Sequence, residues 1–286
     1  MNSDQPVFGM VAGEPSGDLL AGLLLDGLRA RWPRLQAVGI GSPEMLRRGF
    51  EAWRPQSLLA VRGYAEVLPH LFTLLWIRRE LGTRLLTRPP DVFIGIDAPD
   101  FNFGLESRLR GGGVRTVHFV SPSFWAWRAG KLTKLKACAD HVLCIFPFEP
   151  ALLAQHGIAA TYVGHPLASV IPLEPDRLAA RAALGLSHGA PVVALLPGSR
   201  EAEIRYLAAR FLAAAGQIRE RRPGTRFVLP TIPALRSAVE KAAQASGLGD
   251  SLLIVNGHSQ RALEACDVAL IASGTATLEA ALFKRP

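Results

Sequence analysis

Short, continuously apolar runs alternate with longer segments of helical periodicity from one end of the chain to the other. A strand that is apolar on both faces is typical of a parallel sheet buried between helices, and regular alternation of strands with helices indicates an α/β fold. The predicted strands cover residues 7–12, 36–41, 91–97, 115–120, 141–145, 160–163, 191–196, 226–229, 252–255 and 267–272.

This alternation is interrupted once, between residues 171 and 191, by two prolines and a weakly helical stretch. A single core rarely grows beyond about 250 to 300 residues, so 286 residues predict two domains. We expect an N-terminal Rossmann-like domain over residues 1–171, a linker over 172–190 and a C-terminal Rossmann-like domain over 191–286. The second domain stops directly after a helix, where an open sheet ordinarily continues, and is therefore predicted to be incomplete.

One predicted helix, over residues 66–86, is far more apolar than the others and also carries Arg78, Arg79 and Arg84. Apolar side chains beside arginines suit the boundary between lipid headgroups and acyl chains. A helix buried in the core of the first domain would show the same richness in leucine. The pattern leaves both interpretations open.

The formal charge of +8, from 32 basic and 24 acidic residues, indicates an anionic partner. The arginines are scattered and not interleaved with aromatic residues, which disfavours nucleic acid and leaves a phosphorylated substrate or an acidic membrane surface. Three cysteines without CxxC spacing predict neither a disulfide framework nor a zinc site, and they suit a reducing cytoplasm. We expect no signal peptide and no membrane-spanning segment.

Ligands of open α/β sheets bind beyond the carboxyl ends of the strands. The first strand is followed by GEPSGD, which is not the GxGxxG fingerprint, and the second strand ends in glycine where an NAD site needs an acid. Dinucleotide binding is therefore disfavoured and no cofactor is expected. Glu14 and Ser16 are candidate ligand contacts, and for Ser16 a helix N-cap is an alternative of at least equal weight.

Asp97 ends a strand that is otherwise apolar. Desolvation at such a position raises the proton affinity of a carboxylate, which suits a general base. Asp100 is a second candidate, with capping of the next helix as the alternative. Pro99 separates the two acids, and their spacing is not that of a DxD metal clamp, so no obligatory metal is predicted.

Aromatic and polar residues follow two further strands of the first half. Ser121, Trp125 and Trp127 belong to a loop rich in rings, which is a candidate wall for a sugar or an acyl chain, although such rings commonly belong to a core. His165 follows the sixth predicted strand between Gly164 and Pro166, and a structural role is the simpler interpretation of that histidine.

In the second half, Gly198, Ser199 and Arg200 precede a helix whose N-terminal N–H groups favour an anion. An arginine at that end is explained by a phosphate lying between it and the helix, and a solvated turn is the alternative. The last strand runs into a second such turn, with hydroxyl and N–H groups for another phosphate oxygen and an acid for ribose hydroxyls. Its candidate residues are Ser273, Gly274, Thr275 and Glu279.

Seven segments stand in the same order as the motifs of one known family: AGEPSGD at 12–18, GIDAPDFN at 95–102, VSPSFWAWR at 120–128, PFE at 147–149, VGHPLA at 163–168, LLPGSREAEI at 195–204 and ASGTATLE at 272–279. On these residues the chain resembles lipid-A-disaccharide synthase, an inverting, metal-independent glycosyltransferase of the GT-B class. The resemblance implies two Rossmann-like domains that face a cleft.

The resemblance further implies that UDP-2,3-diacylglucosamine donates its sugar to 2,3-diacylglucosamine 1-phosphate at the cytoplasmic face of the inner membrane. The residue matching Asp97 is the favoured base of that family, and Arg200 and Glu279 match its UDP site. Members continue beyond the segment that matches residues 283–286, and that part is implicated in dimer formation. Two alternatives stay open: an inactive lipid- or nucleotide-binding fragment, and another GT-B enzyme that acts on unacylated UDP-sugars.

Overall fold

The computed structural model describes residues 5–59, 67–122 and 130–286, and it contains two separate parallel sheets. The chain divides into two compact units, Met1–Pro166 and Leu167–Pro286, each built around one sheet. The division lies a few residues before the predicted end of the first domain at residue 171. Each unit is an α/β layer structure, as the alternation of apolar runs predicts.

The first unit has seven parallel strands in the order β3-β2-β1-β4-β5-β6-β7. The strands are β1 (Val7–Ala12), β2 (Gln36–Gly41), β3 (Glu51–Pro55), β4 (Val92–Ile96), β5 (Thr116–Phe119), β6 (His141–Cys144) and β7 (Ala160–Tyr162). The helices are α1 (Pro15–Arg31), α2 (Pro43–Leu46), α3 (Val67–Thr87), α4 (Pro99–Gly111), α5 (Gly130–Cys138) and α6 (Glu149–Ala154).

Helices cover both faces of this sheet. Successive side chains along each strand point to opposite faces, and both faces carry apolar residues. Phe8 and Met10 of β1 pack with Leu25 of α1 on one face. Val11 of β1 packs on the other face with the buried side of α3, including Leu81. Strands buried on both faces carry apolar residues at successive positions, which explains the continuous apolar runs from which they were predicted.

The second unit has four parallel strands in the order β10-β9-β8-β11, which repeats the order of the first four strands of the first unit. Its strands are β8 (Val192–Leu196), β9 (Arg226–Thr231), β10 (Leu252–Asn256) and β11 (Val268–Ile271). Its helices are α7 (Leu167–Val170), α8 (Arg177–Ala183), α9 (Glu201–Arg221), α10 (Arg236–Ser246), α11 (Ser259–Ala265) and α12 (Thr275–Leu282).

The ten predicted strands are all present, with ends that differ by at most two residues. The sequence missed β3, whose residues are exposed or half-buried and include Glu51 and Arg54. Among the described strands it lies at the edge of the sheet and pairs with β2 alone. An edge strand has no need of a continuous apolar run, which explains why the pattern did not reveal it.

Residues 172–190, predicted to be a linker, contain α8, and this helix is tied to the second unit. Arg181 is 2% exposed, donates to the carbonyl oxygen of Ala265 at 2.9 Å and forms an ion pair with Asp267 at 2.7 Å. Its guanidinium also donates to the carbonyl oxygens of His188 and Ala190. The segment is therefore a packed part of the second unit.

The helix predicted over 66–86 corresponds to α3, which has a buried side, as the core interpretation predicts, and an exposed apolar side; contact with lipid stays a prediction. Ile77, Leu81 and Leu85 are buried in the core, while the opposite side carries an exposed apolar surface. We call that surface the α3 apolar surface; its members are Leu71, Phe72, Leu75 and Trp76. Within the described ranges, no helix is long and apolar enough to cross a membrane.

Candidate functional site

Backbone strain is concentrated at the carboxyl edge of the first sheet. Asp97 and Ala98, which follow β4, have φ values of 51° and 42°, and Val120, which follows the neighbouring strand β5, has a φ of 77°. Left-handed backbone is uncommon for residues other than glycine; aspartate tolerates it better than alanine does, and it is most costly for a β-branched valine. Such strain persists only where the surrounding structure enforces it, and it clusters at functional sites.

Asp97 is half-buried and its backbone is held from two directions. Its N–H donates to the carbonyl oxygen of Phe119 on β5 at 2.9 Å. Its own carbonyl oxygen accepts a hydrogen bond from the Asn102 side chain at 2.8 Å. The predicted base therefore stands at the end of a buried strand, on a backbone whose conformation is fixed by neighbours.

The loop after β1 approaches the loop after β4 closely. A Cβ at Gly13 would lie 2.5 Å from the Cβ of Ala98, so only glycine fits at that position. Glu14, half-buried, is the N-cap residue of α1. Glu14 and Asp97 are thus carried by two loops in contact, as the common strand edge predicts.

Ser16 lies inside the first turn of α1 and is not its N-cap, because Pro15 begins the helix after Glu14. The capping alternative for Ser16 is therefore wrong. Asp100 is likewise not an N-cap: Ala98 holds that position in α4, and the exposed Asp100 lies in the first turn, where its charge favours the helix N-terminus.

Asp18, the last residue of the AGEPSGD motif, has a structural role. Its carboxylate is 2% exposed and accepts hydrogen bonds from the N–H groups of Ser42 at 2.7 Å and Glu44 at 2.9 Å, at the start of α2. Burial raises the pKa of Asp18 despite these two bonds. The motif thus contains a residue that joins α1 to α2.

The remaining candidates of the first unit follow β5 and β7. Ser121 is 4% exposed, and its hydroxyl has no hydrogen-bond partner among the residues that the structure describes. His165 is half-buried, and burial lowers its pKa, so its imidazole is neutral at pH 7. Trp125 and Trp127 lie in residues 123–129, outside the described part of the chain.

The sequence did not single out Asn102, although this residue touches three strand-end carbonyl groups. Its side-chain N–H₂ lies 2.8 Å from the Asp97 carbonyl oxygen and 3.3 Å from those of Val11 and Ile96. Asn102 is completely buried. A polar amide six residues after a strand, on the buried side of the helix that follows, is the signal that would have found it.

In the second unit, the two predicted phosphate-binding turns are neighbours. They follow β8 and β11, which pair in parallel, and the N–H of Ala272 donates to the carbonyl oxygen of Leu196 at 2.9 Å. Ser199 and Arg200 are exposed after β8, and Ser273 and Gly274 are exposed after β11. The pairing of the strands therefore brings the two turns to one edge of the sheet.

The expectation of free N–H groups before α9 needs correction. The Glu203 carboxylate accepts hydrogen bonds from the backbone N–H of Ser199 at 2.9 Å and of Arg200 at 3.1 Å. A Cβ at Gly198, where φ is 129°, would lie 2.3 Å from the same carboxylate. An acid of the chain itself thus takes up these two donors, and the absence of a side chain at Gly198 makes room for it.

Among the predicted donor-site residues whose side chains the structure describes, Glu279 is the most buried, with 8% of its surface exposed. Its carboxylate accepts a hydrogen bond from the Gln260 side chain at 3.4 Å. Burial raises the pKa of Glu279, and the bond from Gln260 opposes this rise. Gly274 is the N-cap of α12 and Thr275 is its first residue. The structure does not describe the side chain of Thr275.

Solved structures share this fold at low sequence identity. A putative UDP-N-acetylglucosamine 2-epimerase from Listeria monocytogenes is similar with a TM-score of 0.71 and 14% identity, covering 100% of this chain and 78% of that one. A UDP-GlcNAc 2-epimerase from Neisseria meningitidis bound to UDP-GlcNAc has a TM-score of 0.69 and 10% identity, covering 99% and 81%. The fold class is therefore that of GT-B glycosyltransferases and epimerases.

Sequence comparison is more specific. A lipid-A-disaccharide synthase from Albidiferax ferrireducens is 63% identical over 278 residues, which are 97% of this chain and 72% of that protein. One from Verminephrobacter eiseniae is 60% identical over the same shares. The family model described as lipid-A-disaccharide synthetase matches residues 8–286. The chain therefore belongs to the lipid-A-disaccharide synthase family.

Proposed function

We propose that this chain transfers the sugar of UDP-2,3-diacylglucosamine to the 6-hydroxyl of 2,3-diacylglucosamine 1-phosphate, giving the lipid A disaccharide 1-phosphate and UDP. The observation that carries this proposal is membership of a family whose relatives are named for synthesis of that disaccharide. The position of Asp97, at the end of a buried strand on a strained backbone, supports a catalytic role for its carboxylate.

In the proposed step, the Asp97 carboxylate accepts the proton of the acceptor hydroxyl. The hydroxyl oxygen attacks the anomeric carbon of the donor, a new C–O bond forms on the face opposite UDP, and the bond from that carbon to the diphosphate oxygen breaks. The electron pair leaves with UDP, and the configuration is inverted. General-base assistance of this kind contributes about 10² to 10⁴ in rate.

We assign donor binding to the two neighbouring turns of the second unit. The diphosphate carries the charge that leaves with UDP, so the Arg200 guanidinium and the N-terminus of α12 would stabilise it. Glu203 already accepts from two N–H groups before α9, which shifts the role of that turn from its amides toward the exposed Arg200 side chain. The Glu279 carboxylate would accept hydrogen bonds from ribose hydroxyls.

We assign acceptor binding to the first unit, where Glu14, Ser16, Asp100, Ser121 and His165 follow strands at the same edge as Asp97. Trp125 and Trp127 remain predicted contacts for the sugar or its acyl chains.

Docking on the cytoplasmic face of the inner membrane is part of the proposal. The α3 apolar surface exposes two aromatic rings, Phe72 at 73% and Trp76 at 55%. Arginine accompanies it: the Arg54 guanidinium carbon lies 5.2 Å from the centre of the Trp76 ring. Exposed apolar side chains with neighbouring cations suit a membrane surface that contains anionic lipid. The acyl chains of both proposed substrates would lie in the same membrane.

The base is tested by Asp97→Asn, which keeps the size of the side chain and removes its basicity. We expect turnover to fall by about 10² or more while acceptor and UDP affinities stay within about threefold. Asp26→Asn is the matched control, since this carboxylate lies about 16 Å along α1 from the N-terminus of that helix and pairs with Arg48. Near-normal turnover in Asp97→Asn would remove Asp97 as the base.

Measurements on the unaltered chain distinguish the proposed function from the alternative of an inactive binding fragment. If the chain is such a fragment, calorimetry detects UDP binding while mass spectrometry detects no disaccharide from the acylated donor and acceptor. That pair of results would contradict the proposed function.

A further inference from the structure

Asn102 is the one side chain among the described residues whose amide joins the ends of β1 and β4. Its N–H₂ group donates to the carbonyl oxygens of Val11 at 3.3 Å, Ile96 at 3.3 Å and Asp97 at 2.8 Å. The side chain is completely buried. An amide with two N–H bonds is therefore shared among three acceptors, and the shortest contact is made to Asp97.

The hydrogen bond from Asn102 to Asp97 is made at the strained backbone that follows β4. Asp97 and Ala98 are consecutive non-glycine residues in the left-handed region, with φ values of 51° and 42°. That conformation sets the direction in which the Asp97 side chain leaves the end of β4. Relaxation to an ordinary extended backbone would turn the carboxylate away from that direction. A bond to the Asp97 carbonyl oxygen opposes such relaxation.

Asn102 is itself firmly held by α4. One turn further along this helix, the completely buried Glu106 carboxylate contacts His118 Nδ1 of β5 at 2.7 Å and Cys138 Sγ of α5 at 3.2 Å. A Cβ at Gly95 would lie 2.0 Å from Glu106 and 3.0 Å from the Cβ of Asn102. The missing side chain at Gly95 thus lets α4 approach β4 closely enough for Asn102 to reach the strand end.

We infer that Asn102 is a positioning residue: by holding the Asp97 carbonyl oxygen, it keeps the Asp97 carboxylate in the orientation that accepts the proton of the acceptor. This inference rests on the proposed function, because it assigns Asn102 a role through the base. Asn102 is too deeply buried to contact substrate, so its effect on catalysis passes through the backbone of residues 97 and 98.

A double-mutant cycle tests this dependence. In the unaltered chain, Asn102→Ala should lower kcat by about ten- to hundredfold and leave the KM for the acceptor within about threefold. In the Asp97→Asn background, the same change should lower the residual rate by less than about threefold, since the base it positions is already gone. Should Asn102→Ala not fold, Asn102→Ser replaces it in the cycle.

A rescue variant separates positioning from a merely structural role. Glycine adopts left-handed backbone at little cost. Adding Ala98→Gly to Asn102→Ala should therefore raise kcat at least about fivefold above that of Asn102→Ala alone. Hydrogen exchange gives a readout without turnover: protection of the Asp97 N–H, which donates to Phe119, should fall about tenfold in Asn102→Ala. The N–H of Ala272, which makes the corresponding bond in the second sheet, is the control.

Equal losses from Asn102→Ala in both backgrounds, or an unchanged kcat in a folded Asn102→Ala protein, would overturn the inference while leaving Asp97 as the base. Unchanged exchange at Asp97 would overturn it as well. Full turnover in Asp97→Asn alone would instead contradict the proposed base, so the two failures are distinguishable.

Discussion

At the residue scale, the raised pKa of Glu279 makes both the stability of the fold and the proposed binding of UDP depend on pH, with opposite signs. Burial raises the pKa of its carboxyl, so the folded chain binds a proton at this position more tightly than the unfolded chain does. The free energy of unfolding therefore falls as the pH rises through the interval between the unfolded and folded pKa values. The proposed contact with ribose hydroxyls, in contrast, is strongest in the ionised form, because both oxygens of the carboxylate then only accept hydrogen bonds.

Two results follow for Glu279→Gln, which keeps the shape and removes the charge. At pH 8 the variant should unfold at a higher temperature than the unaltered chain, because no buried charge is left unpaired. UDP affinity should be lower, and it should lose the part of its pH dependence in which binding weakens as the pH falls through the raised pKa of Glu279. Calorimetric titration with UDP at a series of pH values and thermal unfolding measure both effects.

Glu220→Gln is the matched control, since this acid is exposed near the end of α9. It should change neither the unfolding temperature nor the pH profile of UDP binding. A Glu279→Gln protein that binds UDP with an unaltered pH profile would contradict the donor role of Glu279.

At the element scale, α3 has a buried side and an exposed side that the sequence alone could not separate. Replacing Phe72 or Trp76 with serine removes an exposed ring of the α3 apolar surface without disturbing the core. Each change should weaken binding to vesicles of phosphatidylglycerol and phosphatidylcholine by about tenfold, as expected from the lost apolar contact. Co-sedimentation measures the effect.

The control for α3 is Leu173→Ser in the second unit, where an apolar side chain is 85% exposed. This change should leave vesicle binding unaltered. If it weakens binding as much as Phe72→Ser does, the effect is one of general hydrophobicity, and the α3 apolar surface is not the docking surface.

The elements that sequence predicted best are those buried on both faces, because burial forces continuous apolar runs. The edge strand β3 escaped detection since its side chains meet solvent. At the candidate site, the order of strands and their following loops was sufficient to select Asp97, Arg200 and Glu279 as candidates. It could not reveal that Glu203 accepts from the amides before α9, because that contact depends on a turn that only Gly198 permits.

At the scale of the whole molecule, Arg181 determines which unit holds the segment between the two sheets. Burial would raise the pKa of Asp267, but the Val192 N–H and the Arg181 guanidinium outweigh it and hold the pKa below its usual value. The pairing therefore stabilises the folded second unit above about pH 4, near the unfolded pKa, and this contribution is lost as the pH falls through the lower folded value.

Arg181→Ala should lower the free energy of unfolding of the second unit by about 3 kcal/mol at pH 7, because Asp267 loses its buried partner and three carbonyl groups lose a donor. Hydrogen exchange of β8 and β11 measures this. All five tryptophans lie between residues 32 and 127, so tryptophan fluorescence reports the first unit, whose unfolding should be unchanged. Arg177→Ala, which removes an exposed partner of the same Asp267, should cost less than about 1 kcal/mol. Equal effects of the two variants would contradict this account of the segment.

The central claim, transfer between acylated sugars, is tested most directly by product analysis with two donors offered to the same preparation. With 2,3-diacylglucosamine 1-phosphate as acceptor, we expect mass spectrometry and NMR to find a β-1,6-linked disaccharide 1-phosphate and an equal amount of UDP from UDP-2,3-diacylglucosamine. UDP-N-acetylglucosamine should yield neither a disaccharide nor an epimer. Turnover of UDP-N-acetylglucosamine at a rate equal to that of the acylated donor would contradict the claim.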